Sequence, residues 1–300
     1  MGLKWDGIGL VMGFLGSPIN PSNTALLQSI YEDYKLIKQL GFQLMRPGAT
    51  DPGFVNAYPF SKIMVQYAAE IGFQKIMWGP TWTGFFGPLT AASYPGYHQQ
   101  VLDALEWAIA NGVTEFAIGN EMESEVDNTT LTFAQMIEEI KNTAIACQAI
   151  KAAHNSDIKI TYTSTAGSLI VNLWISTGIT PGVDLDYICF NPYGANQTDI
   201  PGFFTDCKRI WDGFGTLARL SEFNLVIDSQ PKTIPPERQE IEISKRIHII
   251  RSLGFEEAYF YVWKKAEGSN PENNSLALST GGYRDEFWSI FSGRRWFKNV

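Results

Sequence analysis

Histidine is scarce in this 300-residue sequence, with only His98, His154 and His248. They are scattered over helix-like segments and form no HxH or HExxH pattern, so a catalytic zinc site is not expected. The three cysteines, Cys147, Cys189 and Cys207, show no CxxC spacing, and an odd number cannot pair completely. They read as reduced, structural thiols, Cys189 lying in a buried strand pattern. There is no GxxxxGK[ST] loop to cradle nucleotide phosphates and no G-x-S-x-G elbow to present a nucleophilic serine. No apolar run reaches the roughly 20 residues of a membrane span. The N-terminal segment Met1-Gly2-Leu3-Lys4-Trp5-Asp6 lacks the apolar core of a signal peptide. The expected location is therefore the cytoplasm, or the exterior after removal of a leader. Positive charge is in deficit: 23 Lys and Arg stand against 31 Asp and Glu, a formal net charge of −8. That balance argues against bare nucleic acid, which is bound through phosphate contacts, and suits a neutral polymer.

A Pro/Gly/Ser-rich linker and low-complexity tracts are also missing, so a single domain over residues 1–300 is expected. Apolar residues make up 45% of the chain and charged residues 18%, enough to bury a large core. Strand-like apolar runs alternate with helix-like segments from end to end. Strands are predicted near 8–14, 42–46, 73–78, 115–119, 158–163, 185–190, 217–223 and 258–263. The helical segment 24–40 repeats Leu27, Ile30, Tyr34, Ile37 and Leu40 at three- and four-residue spacing and stops at Gly41. Further helices are predicted over 57–71, 96–110, 132–154, 168–176, 203–214, 236–253 and 282–291. Uninterrupted alternation implies a parallel sheet with helical crossovers, and eight such units imply a closed (β/α)8 TIM barrel. An open doubly wound sheet is the rival, but the glycines of Gly7-Ile8-Gly9-Leu10-Val11-Met12-Gly13 lie within the first strand rather than in the turn after it.

Two glutamates end strand-like runs about a hundred residues apart. Glu121 follows Phe116-Ala117-Ile118-Gly119-Asn120, and Glu222 follows Leu217-Ala218-Arg219-Leu220-Ser221. In a barrel the catalytic groups gather at the C-terminal ends of the strands. Strands four and seven lie on opposing sides of the ring, so the two carboxyl groups face each other across its mouth. A carboxyl pair of this kind is what acid/base and nucleophilic cleavage of a glycosidic bond requires. An Asn-Glu dipeptide alone occurs about once by chance in a chain this long; the force of Asn120-Glu121 comes from its place in the eightfold order and its partner. Arg46 ends strand two on the same face and is positioned to pair with one glutamate, while Tyr193 in Asn191-Pro192-Tyr193-Gly194 is positioned to donate to the same carboxylate. Asn120 is a candidate donor to a sugar 2-hydroxyl. Trp263, and more weakly Trp78 and Trp82, are candidate platforms for the apolar faces of pyranose rings. Glu123, Glu125 and Asp127 read as a solvated acidic loop.

With these residues in place the chain resembles the retaining (β/α)8-barrel glycoside hydrolases of clan A along nearly its whole length. The resemblance matches Asn120-Glu121 to the clan's acid/base after strand four and Glu222 to its nucleophile at the end of strand seven. It also matches Arg46, Tyr193 and Trp263 to the clan's arginine, tyrosine and aromatic residue after strands two, six and eight. The contexts Ile118-Gly119-Asn120-Glu121 and Leu220-Ser221-Glu222 are locally similar to the β-1,3-glucanase family 17. Family 5 usually places histidines near the site, and none here falls at a matching strand end. The resemblance implies a retaining β-glycosidase acting on a β-glucan or related polysaccharide, with no metal or organic cofactor. A β-mannanase, an exo-β-glycosidase or transglycosylase, and a carbohydrate-binding barrel without activity are the alternatives. The expected partner is carbohydrate, with neither nucleic acid nor membrane; the oligomeric state is open.

Overall fold

The computed structural model describes residues 7–11, 21–47, 57–82, 87–127, 129–177, 183–195, 198–224 and 236–261. Within them eight parallel strands close into a barrel in sequence order. The strands are β1 (Ile8–Val11), β2 (Leu44–Arg46), β3 (Lys75–Trp78), β4 (Glu115–Asn120), β5 (Lys159–Thr165), β6 (Ile188–Asn191), β7 (Ala218–Phe223) and β8 (Ala258–Tyr261). Seven α-helices are described between them: α1 (Thr24–Gln39), α2 (Ala57–Ile71), α3 (Tyr94–Ala110), α4 (Phe133–Ala153), α5 (Ser168–Ser176), α6 (Ile200–Phe214) and α7 (Pro236–Leu253). The ring closes where β1 pairs with β8, Ile8 opposite Ala258 and Val11 opposite Tyr261. The expected barrel is therefore the fold. The predicted helix over 282–291 lies outside the described residues, as does Trp263. Among the described residues no helix is long and apolar enough to cross a membrane.

Helix boundaries follow local chemistry. Asn23 caps α1 by accepting from the Leu26 N–H, and Gly41 takes φ +100° just past its end, where a side chain is costly. Thr132 and Gln135 form a reciprocal capping box at the start of α4. Two helices begin earlier than their apolar periodicity suggests. α3 starts at Tyr94 with Pro95 in its first turn, and α6 starts at Ile200 with Pro201, capped by Asp199 accepting from Gly202 N–H. Proline fits the first turn because its missing N–H has no helical partner there.

Packing divides into two layers, as alternating side-chain directions require. Val11, Leu44, Met77, Tyr187, Cys189 and Tyr259 form one cluster that fills the barrel. A larger cluster joins the outer strand faces to the helices, including Met45, Trp78, Phe116, Ile118, Phe190, Leu220 and Phe260. Gly9 is needed by the inner layer, since a Cβ there would lie 2.3 Å from the Tyr259 ring. All three cysteines are buried and unpaired.

Two strands break the regular register. Ala117 and Asn120 of β4 oppose Thr161 and Thr163 of β5, and Leu220 and Phe223 of β7 oppose Ala258 and Phe260 of β8. Each time three steps along one strand match two along its neighbour, so β4 and β7 each carry one extra residue near the C-terminal end. Such bulges redirect side chains at barrel rims. Leu220 and Phe223 both stay in the outer layer. The extra residue between them lets Glu222 leave that layer for the mouth.

Candidate active site

Arg46 lies at the centre of the C-terminal face and is only 2% exposed. Leu44 points into the barrel, Met45 outward, and Arg46 inward again. Its Nη1 donates to Glu222 Oε1 at 2.6 Å and to the Ser221 carbonyl at 3.0 Å, while Nη2 donates to Asn120 Oδ1 at 2.7 Å. One guanidinium thus ties β2 to both bulged strands. Tyr193, in the loop after β6, donates its hydroxyl to Glu222 Oε2 at 2.7 Å. Both oxygens of Glu222 are therefore held, one by a positive charge and one by a phenol, and the carboxyl stays 13% exposed at the cleft. The Glu222 carboxyl group is thereby held in a single orientation.

Glu121 meets different surroundings. Asn191 Nδ2 donates to its Oε1 at 2.9 Å, and Ser221 Oγ donates to Asn191 Oδ1 at 2.7 Å. That chain runs β7 to β6 to Glu121, parallel to the bridge made by Arg46. Burial, and then the neighbouring Glu222 charge, push the Glu121 carboxyl up to about 7; the Asn191 hydrogen bond and the Arg46 charge oppose the rise. The two carboxyl groups thus meet different surroundings, Glu222 an arginine and a phenol, Glu121 an asparagine in a more buried position. The Asn120 amide is oriented by Arg46 on its oxygen side, and its backbone is tied to Thr81, whose hydroxyl donates to the Asn120 carbonyl at 2.9 Å.

The structure brings together Glu121, Glu222, Arg46, Asn120 and Tyr193 from four segments of the sequence. It corrects Trp78. This residue is 1% exposed, packs on Tyr58 and Trp107, and donates its Nε1 to Ser61 Oγ at 3.1 Å. Met77 takes the inward direction and Trp78 the outward one, so its ring meets α2 and α3 rather than the cleft. Trp82 is half-buried after β3, with its Nε1 donating to the Gly87 carbonyl and its ring edge-on to Tyr97.

Glu123 is corrected too. Rather than solvated, it is 4% exposed, accepts from Ser164 Oγ at 2.5 Å, and lies 3.4 Å from Trp174 Nε1. Burial raises its carboxyl above the usual range. The sequence reading also missed Asn191 and Ser221. Asn191 ends β6 on the face that carries Glu121, a position that the strand-end rule was able to flag.

No family model and no characterised protein matches the chain by sequence. Solved structures match it by shape. A structure from a study of two fungal β-1,4-galactanases aligns with 95% of this chain and 98% of its own, with a TM-score of 0.65 at 13% identity. A GH5-4 broad specificity endoglucanase from Bacteroides salanitronis aligns over 98% of this chain and 93% of its own, with a TM-score of 0.66 at 13% identity.

 A β-glucuronidase from Bacteroides uniformis aligns over 97% of this chain, with a TM-score of 0.67 at 13% identity, but the chain spans only 35% of that protein's length. At such identities the likeness is one of fold: the chain has the (β/α)8 barrel of these glycoside hydrolases.

Proposed function

We propose that the protein is a retaining β-glycosidase that cleaves a β-glucan-type or related β-linked polysaccharide by double displacement. The observation that carries this reading is the unequal pair at the mouth. Glu222 is held by Arg46 and Tyr193, while Glu121 is raised to about 7 by burial and by Glu222. In the first step a Glu222 oxygen attacks the anomeric carbon while Glu121 protonates the departing glycosidic oxygen, giving a glycosyl-enzyme. In the second step Glu121, now ionised, takes a proton from water, which displaces Glu222 and releases the sugar. Asn120 is placed to donate to the sugar 2-hydroxyl, a bond that strengthens as positive charge develops at the anomeric carbon. The β-1,4 linkage in the name of the galactanases and the glucan implied by the name of the endoglucanase support the substrate class.

Product analysis on β-1,3-, β-1,4- and mixed-linkage glucans, β-1,4-mannan and β-1,4-galactan identifies the polymer and tests the class. Glu222→Ala is expected to abolish turnover, with azide restoring part of it and giving the product of inverted anomeric configuration. Full activity in that variant sinks the assignment. Glu121→Ala is expected to slow substrates with poor leaving groups far more than activated aryl glycosides. Equal slowing of both removes its role as acid.

A further inference from the structure

Glu121 adopts φ +48° and ψ +34°, a left-handed conformation uncommon for a residue with a side chain. It opens a single 3-10 turn, Met122–Ser124. Two residues later Glu123 turns away from the cleft into the layer between β5 and α5. Its carboxyl accepts from Ser164 of β5, and the Trp174 indole of α5 donates to the same Ser164 hydroxyl oxygen at 2.9 Å. The Tyr162 hydroxyl of β5 accepts from the Met122 N–H at 3.1 Å. The Glu121 N–H donates to the Thr163 carbonyl at 2.9 Å, and Ser124 returns its own hydroxyl to the Glu121 carbonyl at 2.7 Å. Every residue of the turn is thereby fastened, and the deepest fastening is a carboxyl group.

A carboxyl is a costly group to bury in an apolar layer. Leucine or methionine would fill this space without that penalty. What a carboxyl adds is a directional acceptor, fixed by Ser164 and in turn by Trp174.

We propose that Glu123 is a positioning residue for the acid/base: anchored on Ser164 and Trp174, it holds the left-handed turn that presents Glu121 to the cleft. The inference deepens the reading of Glu121 as acid/base and rests on it. Glu123 does not touch substrate. Without its anchor the turn relaxes, Glu121 loses the alignment it shares with Asn191, and proton transfer suffers while Glu222 and Arg46 remain in place.

The test compares Glu123→Leu, which fills the space without an acceptor, with Glu123→Gln, which keeps the acceptor and the size. Crystal structures of both are expected to show Glu121 displaced from its positive φ and from Asn191 in Glu123→Leu, and unmoved in Glu123→Gln. Kinetics use the phenyl and 2,4-dinitrophenyl β-glycosides of the sugar released in the product analysis. Glu123→Leu is expected to lose about 10²-fold in kcat/KM on the phenyl glycoside, as misplaced catalytic groups do, and less than about tenfold on the dinitrophenyl one. Azide is expected to accelerate its turnover, and Glu123→Gln to recover most of the phenyl activity. An unmoved Glu121 in Glu123→Leu, or equal losses on both glycosides, overturns the inference. If Glu121→Ala itself shows neither leaving-group dependence nor azide rescue, the acid/base reading fails first. The crystal structures decide the positioning role in either case.

Discussion

At the scale of single residues, the site rests on giving two chemically identical side chains different surroundings. Glu121 has its carboxyl raised from 4.5 to about 7, first by burial and then by the Glu222 charge. For a group raised in this direction, the folded protein binds more protons than the unfolded chain between pH 4.5 and 7. Stability therefore falls as pH rises through that window and levels off above it. Glu121→Gln removes the ionisation. It is expected to gain stability over the parent at pH 8 relative to pH 4, by on the order of 3 kcal/mol from a shift of this size. Denaturant unfolding at the two pH values reads the difference, and an equal ΔΔG at both refutes it. The same raised carboxyl predicts that kcat/KM falls on the alkaline side with a midpoint near pH 7, because the acid form of the free protein is lost there. A limb that persists unchanged in a folded Glu123→Gln variant and tracks substitutions at Glu121 assigns the titration to Glu121.

At the scale of elements, chemistry enters where β4 and β7 depart from regular pairing. The extra residue in β4 lies between Ala117 and Asn120, and Gly119 is the member that makes it feasible. A Cβ on Gly119 would come within 2.4 Å of Met122 Sδ and 2.8 Å of the Tyr162 ring. Met122 and the Tyr162 ring are both fully buried, so neither has open space to retreat into. Gly119→Ala is expected to cost about 1–3 kcal/mol, as overpacking does, and to lower kcat through Glu121, two positions along. Thermal melting and kcat measured together check it; a loss of stability with normal kcat argues that the bulge tolerates the shift. The strand ends that carry Arg46, Asn120, Glu121, Tyr193 and Glu222 were readable in sequence because each follows an apolar run in the eightfold order. The bulges were not, since strands buried on both faces lose the polar–apolar alternation that marks direction. Trp78 was misplaced for that reason: Lys75-Ile76-Met77-Trp78 does not disclose which of its last two side chains faces inward. Glu123 was misread because an acidic run in a loop is solvated by default, and its partners Ser164 and Trp174 lie far along the chain.

At the scale of the whole molecule, the barrel separates the two ends of its strands into different tasks. At the N-terminal end, Glu115 of β4 is 2% exposed, accepts from the Tyr259 hydroxyl of β8 at 2.9 Å, and lies 3.4 Å from Lys75 of β3. Lys75 also pairs with Glu257. These contacts cross the barrel interior from β8 to β3 and β4, and Tyr259 packs with Val11, Leu44, Met77 and Cys189. At the opposite end the polar contacts converge on Glu121 and Glu222. Two tyrosines offer matched probes, because each donates one hydroxyl hydrogen bond to a carboxyl group and each becomes phenylalanine without a change of shape. Tyr259→Phe leaves buried Glu115 short of a donor and is expected to cost about 1–3 kcal/mol, a fall of about 2–4 °C in Tm per kcal/mol for a chain near this size. Its kcat/KM is expected to stay at the parent value, since the Tyr259 hydroxyl donates to Glu115 at the first residue of β4 rather than to Arg46, Glu121 or Glu222. Tyr193→Phe removes a hydrogen bond to the Glu222 carboxyl at the partly open mouth, where water replaces it at little cost to folding. It is expected to lose about 10–100-fold in kcat/KM, the equivalent of a hydrogen bond to a charged group, with Tm nearly unchanged. Melting curves and kcat/KM for the two variants decide the matter. If Tyr259→Phe impairs catalysis as much as Tyr193→Phe, the two ends are coupled through the barrel, and the assignment of stability to one face and chemistry to the other is wrong.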